Sequence, residues 1–318
     1  MSIATRGIVP ILKQALAQNP GPMDLAVMAK PFETDTIAGE IDTLGWIGHI
    51  PGFRLAGEKN QNADLAQQKL DIRILDFRSS WRLKGSLVRN SKIGPILAEK
   101  SGEWGRRRID LMNQLVADRV NNAETQLAYD GKSFYAPDHS VNNSGAINND
   151  ITSPAVSASA PTTHELSLAI LAGLSQFFTF KDDQSLPLYR PMTVIDVTVN
   201  TAVVGKVAAA VGLNSIDTGA GSIDNPLLGL TRAMGITLRV KTNPLITIAN
   251  TKIQLINASP GTAPFLLGEN PAEKRVTELD ETSDLFKNED MYAFNAFWAG
   301  ASAYGEFTDA VLVTLVNA

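Results

Sequence analysis

A chain of 318 residues, 44% hydrophobic and 19% charged, has the composition of a folded protein and the length for one large domain or two modest ones. It contains no cysteine, which excludes disulfides, thiolate metal sites and thiol nucleophiles and fits assembly in a reducing cytosol. Its net charge of −5, from 33 acidic and 28 basic residues, lacks the basic excess of a dedicated nucleic-acid binder.

Residues 1–41 read as an arm. A short apolar pattern (Ile8, Ile11, Leu12, Leu16) stops at Asn19-Pro20-Gly21-Pro22, and the apolar residues of 23–40 have no sustained period. Such a segment has little core of its own and should be ordered by contact with something else. No charged start followed by an apolar run and a small-residue cleavage site is visible, and no stretch has the roughly 20 apolar residues of a membrane span.

Residues 45–88 turn to strand. Leu70, Ile72 and Ile74 alternate with Asp71 and Arg73, and Trp81 and Leu83 alternate with Arg82 and Lys84. This period of two predicts an extended ribbon with one polar face, its tip in the polar residues 54–68. An isolated ribbon is marginal in water, so a projecting one implies a partner.

Gly94-Pro95 is a helix start. After Trp104, the residues Arg108, Leu111, Met112, Leu115, Val116, Val120, Ala123 and Leu127 recur every three or four positions until Asp130-Gly131. A helix over 95–129 would be roughly 50 Å long at 1.5 Å per residue, which fits a structural beam. A loop rich in Asn, Ser and Pro comes next, then a helix over 164–178 with Thr163 as candidate cap. Strands are expected at 192–199, 236–240, 253–257, 265–267 and 311–316, with a helix at 202–211 and a glycine-rich turn region at 214–226. The reading is α+β, with strands grouped instead of alternating with helices.

No constellation for chemistry emerges. The three histidines (His49, His139, His164) have no metal-ligand spacing. Asp138-His139 invites an acid–base reading, but a loop histidine beside a carboxylate is the plainer one. Gly131-Lys132-Ser133 looks like the end of a phosphate loop, yet Gln126 stands where that loop needs glycine. No nucleophile elbow is present, and neither a cofactor nor a metal is expected. Arg106, Arg107 and Arg108 read as surface charges on the long helix, paired to Glu103 and Asp110 and facing the lumen or a partner.

Several blocks resemble the major head subunit of Mu-like phages and prophages. They are Leu44-Gly45-Trp46-Ile47-Gly48 with Pro51-Gly52-Phe53-Arg54, then Leu127-Ala128-Tyr129-Asp130-Gly131-Lys132-Ser133-Phe134-Tyr135 with Asp138-His139. Pro264-Phe265-Leu266-Leu267 and Tyr292-Ala293-Phe294-Asn295-Ala296 come after them in the same order. The resemblance implies an α+β tailed-phage major capsid fold of the Hong Kong 97 type. It implies an N-terminal arm (1–41), an extended loop (45–88), a peripheral domain (89–185) with a spine helix (95–129), and an axial domain (186–279). C-terminal strands (280–318) would return to the peripheral domain.

It further implies a structural protein of the virion, assembled in the host cytoplasm. Its copies would form hexamers and pentamers of an icosahedral shell around double-stranded DNA, held without sequence-specific binding and without a membrane. Scaffold, portal and head-decoration proteins are the other expected partners. The candidate inter-subunit contacts are Trp46, Phe53, Leu70, Ile72, Ile74, Trp81 and Leu83. The rival readings are a bacterial nanocompartment shell, a soluble enzyme and another virion part such as a tail subunit.

Overall fold

Both hydrophobic periods in the sequence become the elements they encode in the computed structural model, which describes residues 8–47, 67–88, 94–141, 144–182, 185–218, 221–279 and 282–318. The N-terminal stretch forms helix α1 (Ile8–Leu16), a 3₁₀ turn (Leu25–Met28) and strand β1 (Ala29–Glu33). Strands β2 (Ile41–Ile47), β3 (Gln67–Arg73) and β4 (Leu75–Lys84) precede a single helical turn, α2 (Gly85–Val88), and the long helix α3 (Gly94–Asn122). Next come β5 (Asp150–Ala155), α4 (Thr163–Phe177), β6 (Val194–Thr198) and α5 (Val204–Gly212). A small hairpin of β7 (Ser215–Asp217) and β8 (Ser222–Asp224) leads to α6 (Pro226–Met234), β9 (Thr237–Lys241) and β10 (Lys252–Asn257). Strands β11 (Phe265–Glu269) and β12 (Arg275–Leu279), helix α7 (Asp284–Glu289), then β13 (Met291–Tyr304) and β14 (Ala310–Asn317) complete the order.

Two five-stranded sheets organise these elements. In the first, β13 is central: β4 runs antiparallel along one side, while β12 and β11 pair with its two halves on the other, and β1 lies beyond β11. The second has the order β5-β14-β10-β6-β9, with α4 packed on it so closely that Gly173 meets Leu255 and Val313. Among the described residues the ribbon consists of β2 and β3, from Ile41↔Arg73 to Ile47↔Gln67. The part of the expected ribbon that carries Trp81 and Leu83 belongs to β4 and is built into the first sheet. Alternation identifies a strand but not its partner, and here the partner lies more than two hundred positions downstream.

The stretch expected as one unit at 186–279 contributes strands to both sheets. Over 186–279, β6, β9 and β10 lie in the second sheet but β11 and β12 lie in the first. The C-terminal strands divide as well, with β13 in the first sheet and β14 in the second.

Helix α3 stops at Asn122, not Tyr129. Thr125 and Gln126 both donate backbone N–H groups to the Asn122 carbonyl, and the Arg119 guanidinium holds the Gln126 side chain at 2.5 Å. Leu127, which continues the apolar period, is 64% exposed, so the period outruns the helix there. The 29 residues give a rod of about 44 Å. Helix α4 is capped by Thr162, one residue before the expected cap. Its side chain accepts from Glu165 N while Glu165 accepts from Thr162 N, a reciprocal pair that satisfies two otherwise orphaned donors.

The arm finds its partner in its own chain. Leu12 and Leu16 are buried beside Trp104, Tyr292 and Phe294, and β1 pairs in parallel with β11. Asp24 fastens the segment between them, accepting from Arg106 Nη2 at 2.7 Å and Asn113 Nδ2 at 2.9 Å. Burial pushes this carboxyl up, but hydrogen bonds from Arg106, Asn113 and the Gly21 amide outweigh it and hold it below the usual carboxylate range.

At the crossing of α1 and α3, a Cβ on Gly105 would stand 2.3 Å from the Ala15 carbonyl oxygen. Gly105→Ala is therefore expected to lift α1 off α3 and to cost about 1–3 kcal/mol, despite the better helix propensity of alanine. A lower urea midpoint together with faster proteolysis around residues 17–22 checks it. An unchanged midpoint would place the contact elsewhere.

Candidate assembly surfaces

The candidate contact residues separate by where the chain puts them. Ile72 (3% exposed) and Ile74 (fully buried) pack on Ala299, Ala301 and Ala303 of β13, so their apolar surface is used inside the subunit. Leu70 is half-buried at the edge of that cluster. Trp81 stacks on Phe294 at 4.7 Å and meets Trp104 edge-on at 6.2 Å, and Leu83 joins the same cluster, each keeping part of its surface in solvent. Phe53 and the side chain of Trp46 lie outside the described residues.

The three arginines also separate. Arg107 is 70% exposed with loose contacts to Glu103 (3.8 Å) and Asp110 (3.9 Å), as expected of a surface charge. Arg106 pairs with Asp110 but also reaches back to Asp24. Arg108 is not a surface charge of the subunit: it is 8% exposed and bonds Glu269 of β11 at 2.7 Å and the Gln18 carbonyl at 3.1 Å. The sequence held the clue, because Arg108 falls on the apolar stripe of the helix and its neighbours do not.

The block 127–139 is a plug between the two sheets. Gly131 turns the chain at φ +79°, a left-handed conformation that favours glycine. Fully buried Phe134 then stacks on Tyr304 at 4.7 Å and lies 5.5 Å from Phe265. His139 pairs not with adjacent Asp138 but with Asp130, Nδ1–H donating at 2.6 Å, and its ring stacks on Phe307 at 4.0 Å. Asn149 ties the plug to the turn between β13 and β14, donating to the carbonyls of Phe134 (2.8 Å) and Phe307 (3.1 Å). Asp130 is held below the usual carboxylate range because the His139 hydrogen bond and charge outweigh its burial. A histidine enclosed in this way serves packing, and no substrate reaches it.

In that turn, Asp309 is fully buried, accepting from Ala263 N at 2.9 Å and from Arg190 at 3.3 Å. Burial pushes its pKa up to about 6, with Glu306 adding to the rise and Arg190 and Lys30 opposing it. Because the folded value exceeds the unfolded one of about 3.9, the folded state binds the proton more tightly between the two, and stability rises as pH falls from about 6 to about 4. Asp309→Asn should remove this pH dependence, about 3 kcal/mol across the window, and gain stability at neutral pH. Parallel slopes for the two proteins in pH-dependent denaturation would contradict this.

Among the described residues no group of three or more His, Asp or Glu is placed to hold a metal, and no helix is long and apolar enough to cross a membrane. Two sheets joined by a plug, one bearing a long helix and a two-stranded ribbon, define a tailed-phage capsid fold. The capsid protein of cyanophage P-SCSP1u superposes with a TM-score of 0.58 at 10% identity, over 92% of this chain and 87% of that one. That of bacteriophage PhiM1 gives 0.56 at 11% identity, over 95% and 90%. That of Staphylococcus phage Andhra gives 0.51 at 11%, over 95% and 86%. No curated protein matches the chain. Residues 34–166, from the end of β1 into α4, match the family described as Mu-like prophage major head subunit gpT. Over those residues the chain is similar to that family, and its fold is the one shared by these phage capsid structures.

Proposed function

We propose that copies of this chain form hexamers and pentamers that close an icosahedral shell around double-stranded DNA. In this reading α3 is the spine helix of a peripheral domain built on the first sheet. The second sheet with α4, α5 and α6 is the axial domain, and the ribbon reaches over a neighbouring subunit. The observation that carries it is the ribbon itself. Two strands have little independent stability in water, and among the described side chains of this pair Leu44, Leu70 and Ile72, at its base, pack on the body. Covering the rest on a neighbour would contribute roughly 25 cal/mol per Å² of apolar surface removed from water.

Leu70, Trp81 and Leu83 retain enough surface to take part in that contact. The mildly acidic balance suits a wall that must not grip its polyanionic content, and scaffold and portal proteins would set shell size and entry. The subunit has no catalytic role in this scheme. Negative-stain electron microscopy of purified protein, with light scattering for mass, is the test. Closed shells or free rings support it, whereas a uniform monomer or dimer under all salt and crowding conditions, with scaffold supplied, refutes it.

A further inference from the structure

The first sheet carries an exposed basic face whose charges are only slightly compensated among the described residues. Residues directly opposite on antiparallel strands share a face, so Arg78, Phe297 and Arg275 form one row across β4, β13 and β12. Both guanidiniums lie over the Phe297 ring, at 5.5 Å and 4.8 Å. Arg82 and Lys84 continue the same face along β4, and all four cations are exposed. Their compensation is slight: Arg78 meets Asp76 on its own strand, Arg82 reaches Glu289 only at 3.9 Å, and Lys84 has no ion pair among the described residues. Strand β4 pairs only with β13 among the described residues, so this basic face ends at a sheet edge.

The complementary chemistry lies elsewhere on the same chain. Residues 31–45 contain four carboxylates (Glu33, Asp35, Glu40, Asp42) and no cation. Among the described residues none of the four makes an ion pair. Two large apolar side chains in this segment also stand in solvent, Ile37 at 57% and Ile41 at 61% exposure. Among the described residues the like-charged, part-apolar segment has no ion-pair partner and the cationic, aromatic sheet face only slight ones, and each has the composition the other needs.

We propose that the basic face of β4 and β12 seats residues 33–42 of a second copy of the chain. Such a contact is heterologous: every copy offers both halves, so association runs head to tail and closes when the rotation between copies allows a ring. Carboxylates settle among Arg78, Arg82, Lys84 and Arg275, while Ile37 and Ile41 cover the Phe297 side of the face. The contact is electrostatic and part-exposed, so it weakens with salt. It deepens the shell reading above by naming the surfaces that neighbouring subunits bring together.

Sedimentation velocity of the full chain at low and high salt tests it, whether or not closed shells form. Wild-type protein should self-associate at low salt and less at high salt. Reversal of the basic half (R82E with K84E) or of the acidic half (E40K with D42K) should weaken association by about tenfold or more. In a mixture of the two reversed proteins each acidic half meets a basic half of the other, so alternating association should recover, as it should in a single chain carrying all four changes. Circular dichroism and thermal melts of each variant confirm that the fold survives, since all four positions are at the surface.

The pairing is overturned if wild type shows no salt-sensitive association, if either reversal associates as wild type does, or if the fourfold variant stays as weak as the twofold ones. Shells that form in microscopy while the reversals have no effect would leave the capsid reading standing and remove only this assignment.

Discussion

Phe134→Ala lowers the stability of the unassembled subunit by about 3–5 kcal/mol, a large share of the roughly 5–15 kcal/mol that holds a typical domain together. The ring is fully buried and touches Tyr304 and Phe265 of the first sheet and Tyr135 within the plug. Its backbone is engaged separately: Phe134 N donates to Gln126 O and its carbonyl accepts from Asn149, and neither bond depends on the side chain. Truncation therefore removes packing alone and leaves a void that the flanking strands, fixed by their ladders, fill only in part. Phe134→Leu should cost markedly less, because most of the volume is retained. Chemical denaturation of both variants checks the ordering. A loss below about 1 kcal/mol for the alanine would mean that the junction collapses around the gap and that the plug does not hold the sheets in register.

The plug shows what was legible in the sequence and what was not. Residues Tyr129, Asp130, Gly131, Phe134 and His139 stood out as a resemblance, and the φ of Gly131 gives one physical reason for the pattern. The pairing of His139 was not legible, because proximity along the chain favoured Asp138, whereas the fold delivers Asp130. Elements set by local chemistry were read well. The start of α3 at Gly94, the helix over 163–177 and the strands β6, β9, β10 and β14 arise from period, cap and breaker residues. Sheet membership was beyond reach. Nothing in the alternation of Trp81 and Leu83 says that their strand lies along Phe294 and Tyr292 and not across from Leu70.

Strands β5 and β12 escaped for a related reason. β5 has Ser153-Pro154 within it, and proline is tolerated there because β5 is the edge strand of its sheet. β12 alternates Val276 with Thr277 and Glu278, too polar a pattern to stand out. The arm makes the same point from the other side. Residues 8–33 have little core of their own, as their composition implies, but the core that orders them comes from α3 and β11 of the same chain. Within 33–42 it is the side chains of Glu33, Asp35, Ile37, Glu40 and Ile41 that stay exposed, as expected of a segment that reaches outward.

Arg108→Ala should be the most damaging change of a charged residue, at about 3–5 kcal/mol, because it leaves the Glu269 carboxylate without its main partner. That carboxyl accepts from Arg108 Nη2 at 2.7 Å and Trp298 Nε1 at 2.9 Å, and Lys274 stands off at 3.4 Å. Burial pushes its pKa up, but the Trp298 bond and the bond and charge of Arg108 prevail and hold it below the ordinary glutamate value. In the wild type this depressed group adds stability above the unfolded pKa and loses it as pH falls through the lower folded one. Without Arg108 the balance reverses. The folded pKa rises, and the variant's deficit should be greatest near neutral pH and shrink toward pH about 4, where the carboxyl can protonate.

The pair is also imperfect, since Arg108 Nε is buried with no acceptor. Arg108→Met combined with Glu269→Gln should therefore recover most of the loss that Arg108→Ala incurs, by removing both charges while keeping the volume. Denaturation midpoints at several pH values for the single and double variants separate the two effects. A double variant as unstable as the single would mean that the ion pair itself, and not an abandoned charge, holds α3 against β11.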